Sequence, residues 1–485
     1  MIKITLIKLE LDNINYNIKK VLLKSTYWSL VGQFAYLGVL LISNIILARL
    51  LSPDEFGQIG IILFFIVIAQ VLSESGLIGA LVRNKDANEI DFSTVFVFNL
   101  FISIILFLLI ISSSGFIADY YKDQSLQPLL IVSSSIVIIN AFRFVQNAKM
   151  MRQMRFKEIA VYELTSITIA AIAGIILAIN NFGAWSLVIL QLSRDLITTT
   201  LFWIFAGGHG PWLFDLRSLK YHYKFGINTT LSSLLESVFD NIYQIILGKW
   251  FFIAQTGLYY QAKKLQDIPI SVINKLTQTV IYSVLSKIHD DKTKFTRIYQ
   301  QIIALMIIFV GFITLTLLVF AQDIILILLG DQWVKGIFYL RVLSVVGYFN
   351  VQEIFNRILF KIYNDTDYIL KFELIKKGIQ SISIIIGLFL NNIKFLMYGL
   401  AISSVLSYFV NYYIVQKKYI FLGHNLFIII LKQISIILLI TVFTFNFFTG
   451  DGLLNNAIKL VVISILFVLL SILSGCLNLK QFLKG

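Results

Sequence analysis

Apolar residues run along this chain in blocks of about twenty, broken by short polar stretches, and not in the three-to-four-residue stripes of amphipathic core helices. A block of that length crosses the hydrocarbon core of a bilayer as one helix. The blocks predict spans near 28–48, 58–80, 94–116, 129–149, 159–179, 184–205, 225–248, 258–285, 298–321, 336–360, 372–390, 395–415, 426–447 and 453–475. A barrel strand would alternate and be only about ten residues long, so the same blocks exclude a membrane β-barrel. The connections are short. They hold Pro53, Pro128 and Pro211 with clusters such as "RNKDANEID" and "AGGHGPW", and none is long enough to fold as a separate domain.

An internal repeat orders these spans. "NIILARLLSPDEFGQ" (Asn44 to Gln58) aligns with "QIILGKWFFIAQTGLY" (Gln244 to Tyr259) at an offset of 200, placing Arg49 on Lys249 and Gly57 on Gly257. "LIGALVR" and "IYSVLSK" follow at 204, then "YYKDQSLQPLL" and "LLGDQWVKGIF" at 208, a drift expected of lengthening loops. Six spans separate matched positions, so the halves run in one direction and form a parallel repeat. The expected organisation is a basic cytoplasmic tail over 1–27, a six-helix bundle over 28–206, and a cytoplasmic linker over 207–224. A second six-helix bundle over 225–416, two extra helices within 425–475 and a tail over 476–485 complete it.

Composition narrows the class. Hydrophobic residues make up 58% of 485 positions and charged residues only 14%, against roughly 45–50% and 25% in soluble chains. This excludes a soluble enzyme, a nucleic-acid-binding domain and a disordered chain. The single cysteine, Cys476, excludes an intramolecular disulfide. His209, His222, His289 and His424 are scattered through polar connections and form no metal motif. The excess of 40 Lys and Arg over 26 Asp and Glu is unevenly placed, because the outer connections hold only Arg49, Lys122, Lys249, Lys335 and Lys394. The remaining connections are basic, so the positive-inside rule puts both termini in the cytoplasm. Residues 1–27 carry Lys3, Lys8, Lys19, Lys20 and Lys24 without a small-residue cleavage site, and read as a tail and not as a removable signal peptide.

The stretches "LARLLSPDEFG", "SESGLIGALVR", "MMRQMRFKEIA", "FGAWSLV" and "TGLYYQAKKLQDIPISVINKLTQTVIYSVLSKI" resemble the polysaccharide and oligosaccharide flippases of the multidrug/oligosaccharidyl-lipid/polysaccharide superfamily. Within it they are most similar to Wzx-type lipopolysaccharide and capsule exporters of bacteria. The similarity runs through spans one to twelve. It implies a V-shaped, MATE-like all-α bundle in the inner membrane that alternates access. The cargo it implies is an undecaprenyl-diphosphate-linked glycan bound for O-antigen, capsule or exopolysaccharide, with a glycan polymerase and glycosyltransferases as partners.

Ionisable residues inside spans are costly and so are expected to face the bundle interior with a partner or a task. Arginine's planar fork suits the phosphate oxygens of such a substrate. Arg143 and Arg194 from the first half, with Lys275 and Arg341 from the second, are the candidate cationic lining. The competing structural reading pairs Arg194 with a carboxylate on a neighbouring helix and Glu353 with Arg357 at i,i+4; Glu74 completes the charged set. Glu236 and Asp240 are four residues apart and share a helix face. Two carboxylates in a low-dielectric crevice disfavour double ionisation. They and Asp195 are the candidates for H+ or Na+ coupling, with salt bridging as their alternative role. Pro269 predicts a kink in span eight. Tyr259 and Tyr260 read as members of an interfacial aromatic belt, with stacking on sugars as the alternative.

No "GxxxxGK[ST]" signature occurs, so the sequence offers no phosphate loop for ATP, and no residue set stands out as catalytic. A MATE-like drug exporter of the same superfamily is the nearest rival reading. A membrane glycan polymerase or ligase is a further rival, set back by the absence of a large outer loop, and a recruiting scaffold has only the basic loops in its favour.

Overall fold

The structure, a computed structural model, describes residue 28 and residues 31–74, 76–84, 86–205, 212–365, 367–448 and 453–476. The 1–27 tail, His209 with the rest of 207–211, and residues 477–485 of the last tail lie outside the described residues.

Every regular element among the described residues is helical. Helix α1 covers Val31–Leu50. It is followed by α2 (Pro53–Glu74), α3 (Leu77–Arg83), α4 (Glu89–Tyr121), α5 (Leu126–Arg152), α6 (Phe156–Ile179), α7 (Trp185–Phe205), α8 (Leu216–Trp250) and α9 (Ile253–Leu276). Then come α10 (Tyr282–Ser286), α11 (Lys292–Val319), α12 (Ala321–Leu328), α13 (Gly336–Ile362), α14 (Asp367–Phe389), α15 (Ile393–Lys418), α16 (Asn425–Phe447) and α17 (Leu453–Leu473). Among the described residues ten helices are long and apolar enough to cross a membrane: α1, α2 continued through residue 79, α4 to α7, α11, α15, α16 and α17. The other expected spans fall on α8, α9, α13 and α14, the first three of which carry charged side chains singled out above. The chain is thus an all-α, multi-pass membrane protein.

Local chemistry sets the helix ends. Asn88 accepts from the Ile90 and Asp91 amides while Asp91 accepts from the Asn88 amide, a reciprocal capping box that starts α4. Asp215 caps α8 through the Arg217 amide at 2.9 Å. The turn after α4 closes on Lys122, with φ of 57°. The turn between α6 and α7 closes on Asn181 and Gly183, at 61° and 56°.

The chain divides into two units, one ending at Gly257 and the other starting at Leu258. In the first unit α5 packs against both α4 and α7, and α6 lies along α7. In the second unit α13 packs against both α11 and α15, and α14 lies along α15, so the order of contacts is the same. The division falls later than the linker at 207–224. Helix α8, expected to open the second bundle at 225, packs on α2 and α4 of the first unit. Two features hold it there. Lys249 Nζ donates to the Tyr120 carbonyl at 2.6 Å, and Gly248 leaves room for the Ile61 side chain, which would lie 2.9 Å from any added Cβ.

Candidate functional site

The middle of α5 is fastened to α7 by side chains that satisfy exposed backbone carbonyls. Thr199 Oγ1 donates to the Ile139 carbonyl at 3.3 Å, and the Trp203 indole N–H donates to the Phe142 carbonyl at 2.8 Å. Arg143, one residue past that second carbonyl, is thereby set opposite Asp195. The guanidinium and the carboxylate Oδ1 are 3.1 Å apart. Arg194 turns back on the same oxygen at 3.0 Å and reaches the Tyr36 hydroxyl of α1 at 3.3 Å.

Asp195 is the electrostatic centre of this group. Its side chain is 1% exposed, against 24% for Arg143 and 28% for Arg194. A carboxylate taken out of water is stable only when paired, and here two cations share one anion. The Arg143–Arg194–Asp195 group therefore carries one surplus positive charge, and three of its guanidinium nitrogens donate to the same carboxylate oxygen. Asp195 Oδ2 is buried without a hydrogen-bond partner among the described residues. Glu74, at the end of α2, lies within electrostatic reach of Arg143. One turn before Arg143, the buried Asn140 has neither amide atom hydrogen bonded among the described residues. An anion with several acceptor oxygens and polar groups beside them is the chemistry this pair of arginines can bind.

The structure brings together Arg143, Arg194 and Asp195 from the predicted set. The ion pairing expected of Arg194 is made with Asp195, its own neighbour in sequence, and not with a carboxylate of a neighbouring helix. Tyr36 was missed: a lone tyrosine in an apolar block carries no signal until α1 is placed against α7. Arg341, in the second unit, has its guanidinium 4.9 Å from the Phe445 ring centroid and its Nε buried with no hydrogen-bond partner among the described residues. Lys275 is half-buried in the last turn of α9. Glu236 and Asp240 are exposed on one face of α8.

The i,i+4 pairing expected of Glu353 and Arg357 is corrected. Glu353, buried on α13, is bound by Lys376 of α14, and Arg357 pairs with Glu373 of α14 at 2.8 Å. Both carboxylates find cations across the α13–α14 contact, where both side chains leave the solvent. Helix α9 runs through Pro269, which cannot donate its own helix hydrogen bond, and a π turn over Thr277–Ile281 follows it. Tyr259 is buried, edge-on to Tyr339 at 6.1 Å, and does not stand in an interfacial belt. Among the described residues no group of three or more His, Cys, Asp or Glu gathers to hold a metal.

The family described as polysaccharide biosynthesis protein matches residues 46–338. The chain is similar to the lipopolysaccharide biosynthesis protein WzxC of Escherichia coli (strain K12), 23% identical over 326 residues, covering 66% of this chain and 65% of that protein's length. Its fold is similar to the structure described as lipid II flippase MurJ, inward closed conformation, with TM-score 0.69 and 14% identity over 91% of this chain and 97% of the other. It is also similar to an inward-facing multidrug resistance MATE family transporter of the MOP superfamily, with TM-score 0.62 and 14% identity over 78% and 93% of the two chains.

Proposed function

The chain belongs to the polysaccharide biosynthesis protein family, and from that premise we propose that it is a flippase for a lipid-linked oligosaccharide. It moves an undecaprenyl-diphosphate-linked glycan from the cytoplasmic to the periplasmic leaflet of the inner membrane, for assembly into O-antigen, capsule or exopolysaccharide. Fourteen spans, formed by the ten apolar helices with α8, α9, α13 and α14, keep both termini cytoplasmic. The matching order of packing in the two units supports the parallel repeat.

The observation that carries the reading is the shared carboxylate: Arg143 and Arg194 both hold Asp195 Oδ1, leaving one surplus cation in this three-residue group. A diphosphate with about two negative charges can take the spare donors without full desolvation, provided the surrounding vestibule is wet. Arg341 and Lys275 serve the same end in the second unit. An exporter of cationic drugs shares the fold but is ill served by arginines as lining. The protein acts as a transporter and not as an enzyme. Access alternates at the expense of an H+ or Na+ gradient, with Glu236, Asp240 and Asp195 as coupling groups, and a glycan polymerase and glycosyltransferases act before and after it.

The test is a strain lacking the protein. Lipid-linked glycan is expected to accumulate in the cytoplasmic leaflet. Undiminished surface glycan with no such accumulation would sink the reading.

A further inference from the structure

Two hydrogen bonds lay the connection between α7 and α8 onto α4. The Leu213 amide donates to Ser93 Oγ at 2.8 Å and the Asp215 amide to Thr94 Oγ1 at 3.0 Å. Trp212 stands edge-on to Phe96, with 5.1 Å between ring centroids. With these backbone groups turned to the helix, four large apolar side chains of residues 212–216 are left exposed: Trp212 by 58%, Leu213 and Phe214 by 48% each, and Leu216 by 57%. A contiguous apolar surface of this kind marks a place that something apolar covers.

The side of α4 that carries the connection identifies the cover. At about 100° per residue, Ile90, Phe101, Ile105 and Leu108 all fall within about 40° of Thr94 around the helix axis. All four are exposed, on a helix long and apolar enough to cross a membrane, so this stripe meets lipid. Thr94 lies on the same stripe and is itself buried, beneath the connection. Depth follows from length. The 33 residues of α4 span about 50 Å, roughly 20 Å more than the hydrocarbon core. Centred in the bilayer, the helix passes that core by about 10 Å at each end. Thr94, about 7.5 Å from the helix start, therefore sits just on the headgroup side of the boundary.

We infer that residues 212–216 form an anchor seated in the headgroup and acyl boundary of the leaflet that the charge pattern makes cytoplasmic. Tryptophan is suited to that level because its ring has an apolar body and one polar N–H. Leu213, Phe214 and Leu216 supply the apolar area that reaches below it. Arg217 and Lys220 follow, both exposed, and offer cations to the lipid phosphates. Asp215, the one acid in the run, accepts from the Arg217 amide at 2.9 Å and is occupied in capping α8. The anchor fixes the start of α8 at the membrane surface. It seats the chain in lipid and is independent of which cargo the protein carries.

The test places single nitroxide spin labels on Leu213→Cys, Phe214→Cys and Leu216→Cys variants of the full-length protein, with the native Cys476 replaced by alanine, in nanodiscs of phosphatidylethanolamine and phosphatidylglycerol. These sites are exposed and tolerate a label, and Trp212→Cys replaces any one that fails to fold. Ile105→Cys on the lipid-facing stripe and Asp86→Cys in the exposed connection before α4 give the acyl and aqueous references. Collision with oxygen is expected to exceed collision with a water-soluble nickel chelate at two or more of the three positions, at a depth of about 5–10 Å into the headgroup and acyl boundary. Nickel-dominated collision at two or more of them, as at Asp86, would overturn the anchor and leave the surface to a soluble protein partner.

Discussion

Gly257 lies so close to Gly57 that a Cβ built on it would stand 2.9 Å from the Gly57 amide nitrogen and 1.8 Å from the Pro53 carbonyl oxygen. The contact is reciprocal: a Cβ on Gly57 would stand 2.1 Å from the Ile253 carbonyl oxygen. Pro53 and Ile253 open α2 and α9, and both pairs are separated by the 200-residue offset of the repeat. Gly57→Ala and Gly257→Ala are each expected to destabilise the protein by about 1–3 kcal/mol through overpacking against backbone that cannot rotate away. Gly38→Ala, with nothing within 4 Å of its Cβ, is expected to be neutral or slightly stabilising. Thermal unfolding in detergent checks this, and equal midpoints in all three variants would contradict the close approach.

Asp195→Asn removes the anion on which two guanidiniums depend. Breaking a buried pair costs about 3–5 kcal/mol, with the lower end expected here because both arginines keep partial exposure. Adding Arg143→Gln in that background is expected to recover part of the loss, with a coupling energy of about 1–3 kcal/mol. Additive losses in a double-mutant cycle would show that the 3.1 Å contact contributes nothing. Arg194→Lys keeps the charge and loses the fork. It is expected to unfold near the wild-type temperature while binding undecaprenyl diphosphate more weakly.

Helix placement was legible in the sequence because block length and the bilayer leave little choice, whereas the Gly57/Gly257 alignment marked a repeat and not the close approach of the two glycines. Pairing across helices was not. Arg143 and Asp195 are 52 residues apart, so nothing local joins them, whereas Glu353 and Arg357 sit at a spacing that advertises a pair the fold does not make. Which cation a buried carboxylate takes depends on the neighbouring helix, here α14 with Lys376 and Glu373. The cleft between α4, α5 and α7 was illegible for the same reason: Glu89, Gln146, Trp203 and Trp212 come from four separate segments.

Asp291 starts α11 by accepting from the Thr293 and Lys294 amides at 3.1 and 3.0 Å and from the Thr293 hydroxyl at 2.7 Å. The Lys294 amide above all, with the Thr293 groups, holds its carboxyl below the usual aspartate range. A depressed native value means that the cap's contribution is complete above the ordinary aspartate value, about 3.9, and is lost as pH falls through the lower native one. Hydrogen exchange of the Thr293 and Lys294 amides, corrected for intrinsic rate, is expected to be flat above that value and to quicken below it. Asp291→Asn keeps an acceptor that does not titrate and should flatten the response. The same acid response in that variant would refute the assignment.

Glu236 and Asp240 stand one helical turn apart on an exposed face of α8, a helix whose remaining length is fastened to α2 and α4. They are the coupling pair proposed above for the H+ or Na+ gradient. Glu236→Gln and Asp240→Asn are each expected to leave folding intact, since neither side chain is buried, and to reduce glycan export several-fold in cells energised by a proton gradient. A double variant should do no worse than the stronger single one if the pair works as a unit. Wild-type export in both single variants would remove obligate coupling through this pair.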